Sequence, residues 1–165
     1  CNELEKGYFN SGVLLINTLA WAQESVSAKA MSMLADKAIV SRLTYMDQDI
    51  LNLILLGKVK FIDAKYNTQF SLNYELKKSF VCPINDETVL IHYVGPTKPW
   101  HYWAGYPSAQ PFIKAKEASP WKNEPLMRPV NSNYARYCAK HNFKQNKPIN
   151  GIMNYIYYFY LKIIK

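Results

Sequence analysis

The stretch His92-Tyr93-Val94-Gly95-Pro96-Thr97-Lys98-Pro99-Trp100-His101 holds the richest set of chemically useful side chains in this sequence. His92 lies near the end of an apolar, strand-like run, Thr88 to Tyr93. Functional groups gather at strand C-termini in open α/β sheets. Gly95 lets backbone approach a ligand closely, and Lys98 offers a point charge suited to phosphate. Pro96 and Pro99 stiffen the loop between them. Taken singly, His92 reads as a hydrogen-bonded structural residue and Lys98 as a solvated one. The whole string is too elaborate for a mere turn.

A second candidate group is Asp47-Gln48-Asp49, which opens a very apolar helix running to Leu56. The plain reading gives Asp47 the N-cap and sets Asp49 in the first turn, where a carboxylate suits the helix dipole. The functional reading has the helix start project three polar groups toward a site. The triplet also spells Asp-x-Asp, a divalent-metal pattern of nucleotide-sugar enzymes, but a three-letter match carries little weight.

These groups need elements to position them. Tyr8 to Ile16 reads as a buried strand, with Val13 to Ile16 continuously apolar and Gly12 allowing a close approach. Leu19 to Val40 has a helical pattern, with Trp21, Val26, Ala30, Met33 and Leu34 near one face and a turn around Ser25 and Ser27. Lys58 to Asp63 alternates as a short strand, and Thr88 to Tyr93 as another. Strands interleaved with helices predict an α/β fold. Beyond Tyr106 the texture changes: prolines break up a basic region with helices expected over Ser108–Glu117, Asn133–Phe143 and Ile149–Ile164. A boundary near residue 105 therefore divides the sequence into 1–105 and 106–165.

The 165 residues suffice for one domain with a real core, and 49% apolar with 19% charged residues is ordinary globular composition. Collagen-like and wholly disordered readings are excluded. Cys1, Cys82 and Cys138 are odd in number and far apart, so neither a zinc knuckle nor a disulfide framework is supported, and a reducing compartment is expected. The net charge is +8 and sits unevenly: Arg128, Arg136, Lys140, Lys144, Lys147, Lys162 and Lys165 follow Glu124 with no acidic residue among them. Such asymmetry points to an anionic partner, nucleic acid or a membrane surface. The final helix is short for a bilayer span and carries Asn150, Asn154 and Lys162. Its tyrosines suit the headgroup level, so an interfacial helix is the membrane reading; a helix packed on the domain is the plain one. A basic, aromatic nucleic-acid binder is a rival, but no nucleic-acid motif is present. A non-catalytic membrane-docking module is another.

Four segments together resemble glycosyltransferase family 8: Tyr8-Phe9-Asn10-Ser11-Gly12-Val13-Leu14-Leu15-Ile16-Asn17, Asp47-Gln48-Asp49-Ile50-Leu51-Asn52, Tyr66-Asn67-Thr68-Gln69-Phe70, and His92 to His101. Their order and spacing agree with that family over the whole chain. Asn67 to Lys77 and the tail from Tyr106 are most similar to bacterial enzymes of the lipopolysaccharide outer core, especially α-1,3-glucosyl- or galactosyltransferases, with α-1,2-glucosyltransferases as near relatives.

The resemblance implies a retaining hexosyltransferase with the Rossmann-like GT-A fold, using a UDP-sugar donor, Mn²⁺ or Mg²⁺, and a lipopolysaccharide core acceptor. It places His92 at the metal, Gly95 and Lys98 at the diphosphate, and Gln48 under the reacting sugar carbon. Asn10, Asp47 and Asp49 would line the sugar pocket. The enzyme would work in the cytoplasm, peripheral on the inner membrane of a Gram-negative bacterium, its basic tail on the anionic surface and with no nucleic acid partner. One departure stands out. The family's metal-binding Asp-x-Asp lies upstream of the Tyr-Phe-Asn-x-Gly motif, and only seven residues precede Tyr8. The chain is thus expected to be the C-terminal half of an enzyme, inactive alone.

Overall fold

The computed structural model describes residues 7–164, so Cys1 with the polar opening stretch, and Lys165, lie outside the described residues. The chain forms two compact units, one ending at Tyr66 and one beginning at Asn67.

The first unit is helical. α1 (Thr18–Gln23) starts at Asn17, whose side chain accepts the Ala20 N–H. Ser25 adopts left-handed φ 52 and turns the chain into α2 (Val26–Ala35). The Trp21 indole N–H bridges this turn to the Ser27 hydroxyl. Asp36 caps the short α3 (Lys37–Val40) through the Ala38 N–H. α4 (Met46–Ile54) follows and packs on α2, burying Val26 and Ile50.

Two strand expectations are corrected here. Tyr8 to Ile16 is irregular, and Leu15 is 94% exposed with Leu14 and Ile16 also exposed. Lys58 to Asp63 forms no ladder, and Phe61 and Ile62 are exposed. Apolar alternation makes a strand only where a neighbouring backbone supplies the hydrogen bonds. Among the described residues no strand pairs with either segment.

The second unit contains a parallel pair, β1 (Thr68–Phe70) and β2 (Ile91–Tyr93), in register Thr68 with Ile91, Gln69 with His92 and Phe70 with Tyr93. β2 is thus the last part of the predicted Thr88–Tyr93 run. A 3₁₀ turn, Leu72–Leu76, begins the crossover between the strands. Phe70, Leu72, Ala104, Tyr106 and Ala109 form the buried core, with Ile84 and Tyr93 against it. This core draws on residues from both sides of position 105.

α5 (Gln110–Glu117), α6 (Ser132–Lys144) and α7 (Pro148–Ile163) match the three expected helices closely. α6 and α7 pack as a hairpin. Asn146, at φ 58, ends α6 in the left-handed region that asparagine tolerates. Gly151 lies in α7 beneath Phe143, where a Cβ would come within 2.6 Å of the ring. The hairpin is tied inward by Gln145, whose amide donates to the Trp103 carbonyl at 2.7 Å, and by Asn154, which donates to the Tyr102 hydroxyl at 3.2 Å. Cys82 and Cys138 are both free thiols.

Candidate active site

In the first unit, α4 presents its first turn to the segment Tyr8–Gly12, and side chains make the junction. Gln48 is the hub. Its Oε1 accepts from the Asn10 amide at 3.0 Å and from the Ser11 backbone N–H at 3.1 Å, while its Nε2 donates to the Tyr8 hydroxyl at 2.9 Å. Tyr8 in turn donates to Asp49 Oδ1 at 2.5 Å. Asp47 accepts from the Ser11 hydroxyl at 3.3 Å. Asn10, Asp47, Gln48 and Asp49 therefore form one cluster, although Asn10 precedes the other three by nearly the length of the helical unit.

The cap assignment shifts in the process. Tyr45 occupies the N-cap position of α4 without a side-chain bond. Asp49 reaches back instead, its Oδ2 accepting from the Thr44 and Tyr45 N–H groups at 2.7 and 2.8 Å. The Tyr45 N–H is one of the orphan donors at the helix start and the Thr44 N–H lies just before it; a carboxylate at the positive end of the dipole satisfies both. The Tyr8 hydrogen bond, then the backbone donors, hold the Asp49 carboxyl below the usual aspartate range.

Asn52 closes the second family-like segment but has no assigned role in the sequence reading. It is buried, and its side chain accepts from Phe9 N–H at 2.8 Å and donates to Phe9 C=O at 2.9 Å and Gln48 C=O at 2.8 Å. It pairs with Phe9 as a strand neighbour would, which fixes an irregular segment without a sheet. A buried asparagine on an apolar helix face is the sequence signal that could have found it.

In the second unit, His92 sits on β2, and its Nδ1 lies 3.1 Å from Asn67 Oδ1. A carboxamide oxygen only accepts, so Nδ1 carries the proton and Nε2 keeps its lone pair. An imidazole that binds a metal through one nitrogen usually donates its other N–H in this way. Burial, then the nearby Lys98 charge, hold the His92 pKa below its ordinary value, which keeps the ring neutral and ligand-competent. Among the described residues, no three His, Cys, Asp or Glu side chains are grouped to hold a metal ion. His92 fits one position in a coordination sphere; the described residues do not complete it.

Gly95 has φ +80, and a Cβ there would stand 2.8 Å from the Ser71 hydroxyl oxygen. Both the backbone and the space require glycine. Lys98 donates its ammonium to the Tyr93 carbonyl at 2.5 Å and its backbone N–H to His101 Nδ1 at 3.1 Å. Partial burial lowers the Lys98 pKa. His101 is fully buried and stacks on Trp103 with ring centroids 4.2 Å apart. Thr97, also buried, meets His141 of α6. Thr97, His101 and His141 have no assigned role in the sequence reading, and all three serve the loop that holds Gly95 and Lys98.

Comparison with known proteins places the chain in a family. The model for glycosyl transferase family 8 matches residues 1–104, and that for the glycosyl transferase family 8 C-terminal region matches residues 106–162. The chain is 55% identical to the lipopolysaccharide glucosyltransferase WaaO of Escherichia coli K12, over 97% of this chain and 48% of that protein. It is 51% identical to the lipopolysaccharide 1,3-galactosyltransferase of Salmonella typhimurium, over 98% and 48%. A lipopolysaccharide 1,2-glucosyltransferase of Escherichia coli is 40% identical, over 98% and 49%. The chain thus spans about half the length of the curated relatives it matches. No solved structure matches it significantly. With family models matching nearly end to end, the chain belongs to glycosyl transferase family 8.

Proposed function

We propose that the full chain carrying these residues is a retaining hexosyltransferase of the GT-A fold. It moves glucose or galactose from a UDP-sugar to the lipopolysaccharide core, in α-1,3 linkage. The observation that carries this reading is the identity of more than half, over nearly the whole chain, to a protein named as a lipopolysaccharide glucosyltransferase and to one named as a lipopolysaccharide 1,3-galactosyltransferase. The 1,2-glucosyltransferase is a more distant relative, which favours the 1,3 linkage. Residues 1–105 then belong to the catalytic domain and 106–165 form its basic C-terminal region.

The chemistry follows from the side chains. The bond between the anomeric carbon and the diphosphate oxygen breaks, and a bond to the acceptor hydroxyl oxygen forms on the same face. The acceptor proton passes to the departing phosphate oxygen. Lys98 balances the charge that develops on the leaving group. By the resemblance to family 8, the Gln48 amide lies under the positive charge at the anomeric carbon; an amide is a poor nucleophile but a good dipole. Its two donors, Asn10 and Ser11, fix the direction of the Gln48 carbonyl. Asn10, Asp47 and Asp49 line the sugar pocket. A bound Mn²⁺ or Mg²⁺ would add charge neutralisation at the diphosphate, with His92 as one ligand and the remaining ligands from outside these residues.

α7 supports membrane docking. Ile149, Ile152, Met153, Ile156, Tyr160 and Ile163 are all exposed and recur at helical spacing, forming an unpacked apolar stripe. Lys144, Lys147 and Lys162 lie near its two ends. No helix among the described residues is long and apolar enough to cross a membrane. The region docks peripherally on the anionic cytoplasmic face of the inner membrane, where each basic residue contributes about 1 kcal/mol near the surface.

Transfer of labelled hexose from UDP-glucose and UDP-galactose to lipopolysaccharide truncated in the outer core tests the activity in the full chain. Absence of transfer from either donor overturns it. The present residues alone should bind UDP poorly, since one lysine and one imidazole are too little; micromolar binding by calorimetry would contradict that. Flotation with vesicles tests docking: it should need anionic lipid and weaken with salt.

A further inference from the structure

His141 lies on α6, outside the segments with an assigned role, yet it is completely buried and uses both ring nitrogens. Its Nδ1 is 2.7 Å from the Tyr106 hydroxyl. Its Nε2 is 3.1 Å from Asn73 Oδ1 and 3.1 Å from Thr97 Oγ1. The proton positions follow from the inventory of donors. Asn73 Oδ1 only accepts, so Nε2 carries the proton and shares it with Thr97 Oγ1. Nδ1 is then unprotonated and accepts from Tyr106. The ring is a neutral donor on one side and an acceptor on the other.

Three separate backbone segments meet at this ring: the 3₁₀ turn after β1, the loop after β2, and the start of the C-terminal region. Burying a threonine hydroxyl and an imidazole is costly unless both are satisfied. An apolar trio of similar size would pack here at less risk. What the polar set adds is direction, since a hydrogen bond fixes an orientation that apolar contact leaves free.

The element so oriented is the loop Gly95–Lys98. The Ser71 hydroxyl fills the space that a Cβ on Gly95 would need, Thr97 is tied to His141, and the Lys98 N–H is tied to His101. Thr97 is the immediate neighbour of Lys98, so a change in its backbone is passed directly to the lysine. We propose that His141 is a positioning residue for sugar transfer: from the C-terminal region it anchors Thr97 and so sets the direction in which Lys98 meets the donor diphosphate. This rests on the reading of Lys98 given above.

The test uses Thr97→Val, His141→Gln and His141→Ala in the full chain. Valine keeps the shape of threonine and deletes only the hydroxyl. Glutamine can return a donor toward Asn73 and Thr97, whereas alanine cannot. The expected result is a KM for the UDP-sugar raised at least tenfold in Thr97→Val and His141→Ala, with the acceptor KM unchanged and with substantial rescue in His141→Gln. UDP affinity, measured by calorimetry, should fall in parallel. If kcat alone falls, in step with lost melting temperature and with both KM values unchanged, His141 is only structural and the proposal is overturned. Unaltered kinetics in Thr97→Val overturn it as well, even if His141→Ala fails to fold. Should the unsubstituted chain transfer no hexose while binding UDP, the transfer reading fails; UDP affinity then still decides whether His141 orients the loop.

Discussion

The Asn10 amide donates to the Gln48 carbonyl oxygen at 3.0 Å, joining residues 38 positions apart. The Ser11 N–H donates to the same oxygen, and the other end of the Gln48 amide donates to Tyr8. A glutamine so held cannot swing freely. Its carbonyl dipole is oriented before any substrate arrives, which is the condition for electrostatic stabilisation without reorganisation.

Gln48→Ala should therefore affect both rate and stability, by separable amounts. The loss in kcat should be about 100-fold or more, as for other preorganised dipoles. Affinity for UDP should change little. Stability should fall by a few kcal/mol at most, from the stranded Asn10 and Ser11 donors, at about 1 kcal/mol each. Steady-state kinetics, UDP calorimetry and urea denaturation separate the three. Equal losses in UDP affinity and rate would mark Gln48 as a binding residue.

His92→Ala should raise the Mn²⁺ concentration needed for half-maximal transfer in the full chain, or abolish activation, with the fold kept. Asn67→Leu removes the acceptor that sets the imidazole tautomer. It should have the same effect more weakly, since a partner that orients a metal-binding imidazole contributes about 10- to 100-fold to metal affinity. Activity titrated against Mn²⁺ checks both. Normal activity of His92→Ala at low Mn²⁺ would remove His92 from the metal site.

Gly95→Ala meets two obstacles, a φ of +80 and the Ser71 hydroxyl at 2.8 Å. The double variant with Ser71→Ala removes only the second. The single variant should be destabilised by more than the ~1–2 kcal/mol that left-handed backbone costs a residue with a Cβ. The double variant should recover to about that value relative to Ser71→Ala alone. Urea denaturation of all three variants provides the cycle.

Acid should loosen the second unit through its two buried histidines. Burial chiefly holds both His101 and His141 neutral, with pKa about 4 against an ordinary 6.5. For a base with a depressed pKa, the unfolded chain binds more protons between these limits. Stability is thus complete above pH 6.5, falls as pH drops toward 4, and levels off below. Each histidine accounts for about 3 kcal/mol as an order of magnitude. Protonated His101 also cannot accept the Lys98 N–H. Denaturant midpoints from pH 7.5 to 4 should fall, and His101→Gln and His141→Gln should each flatten the curve.

Much was decided locally and could be read from the sequence. The apolar spacing of α4, α6 and α7 requires helices wherever one face finds cover, and their ends fall within a few residues of the pattern. Gly95 announces a backbone that other residues avoid, and its φ of +80 agrees. The four motifs that resemble family 8 also lie in plain sequence. What tertiary structure alone decided are pairings between distant residues. Val13 to Ile16 is as apolar as any strand, yet a strand exists only where another backbone lies beside it, and the described residues place none there. His141 carries no local mark beyond its place on the face shared with Ala135 and Cys138. Its role depends on Asn73, Tyr106 and Thr97, which lie 68, 35 and 44 residues away. Hydrogen bonds of that span arise only when the chain has folded, because direction in space, unlike hydrophobic periodicity, is not written in consecutive residues.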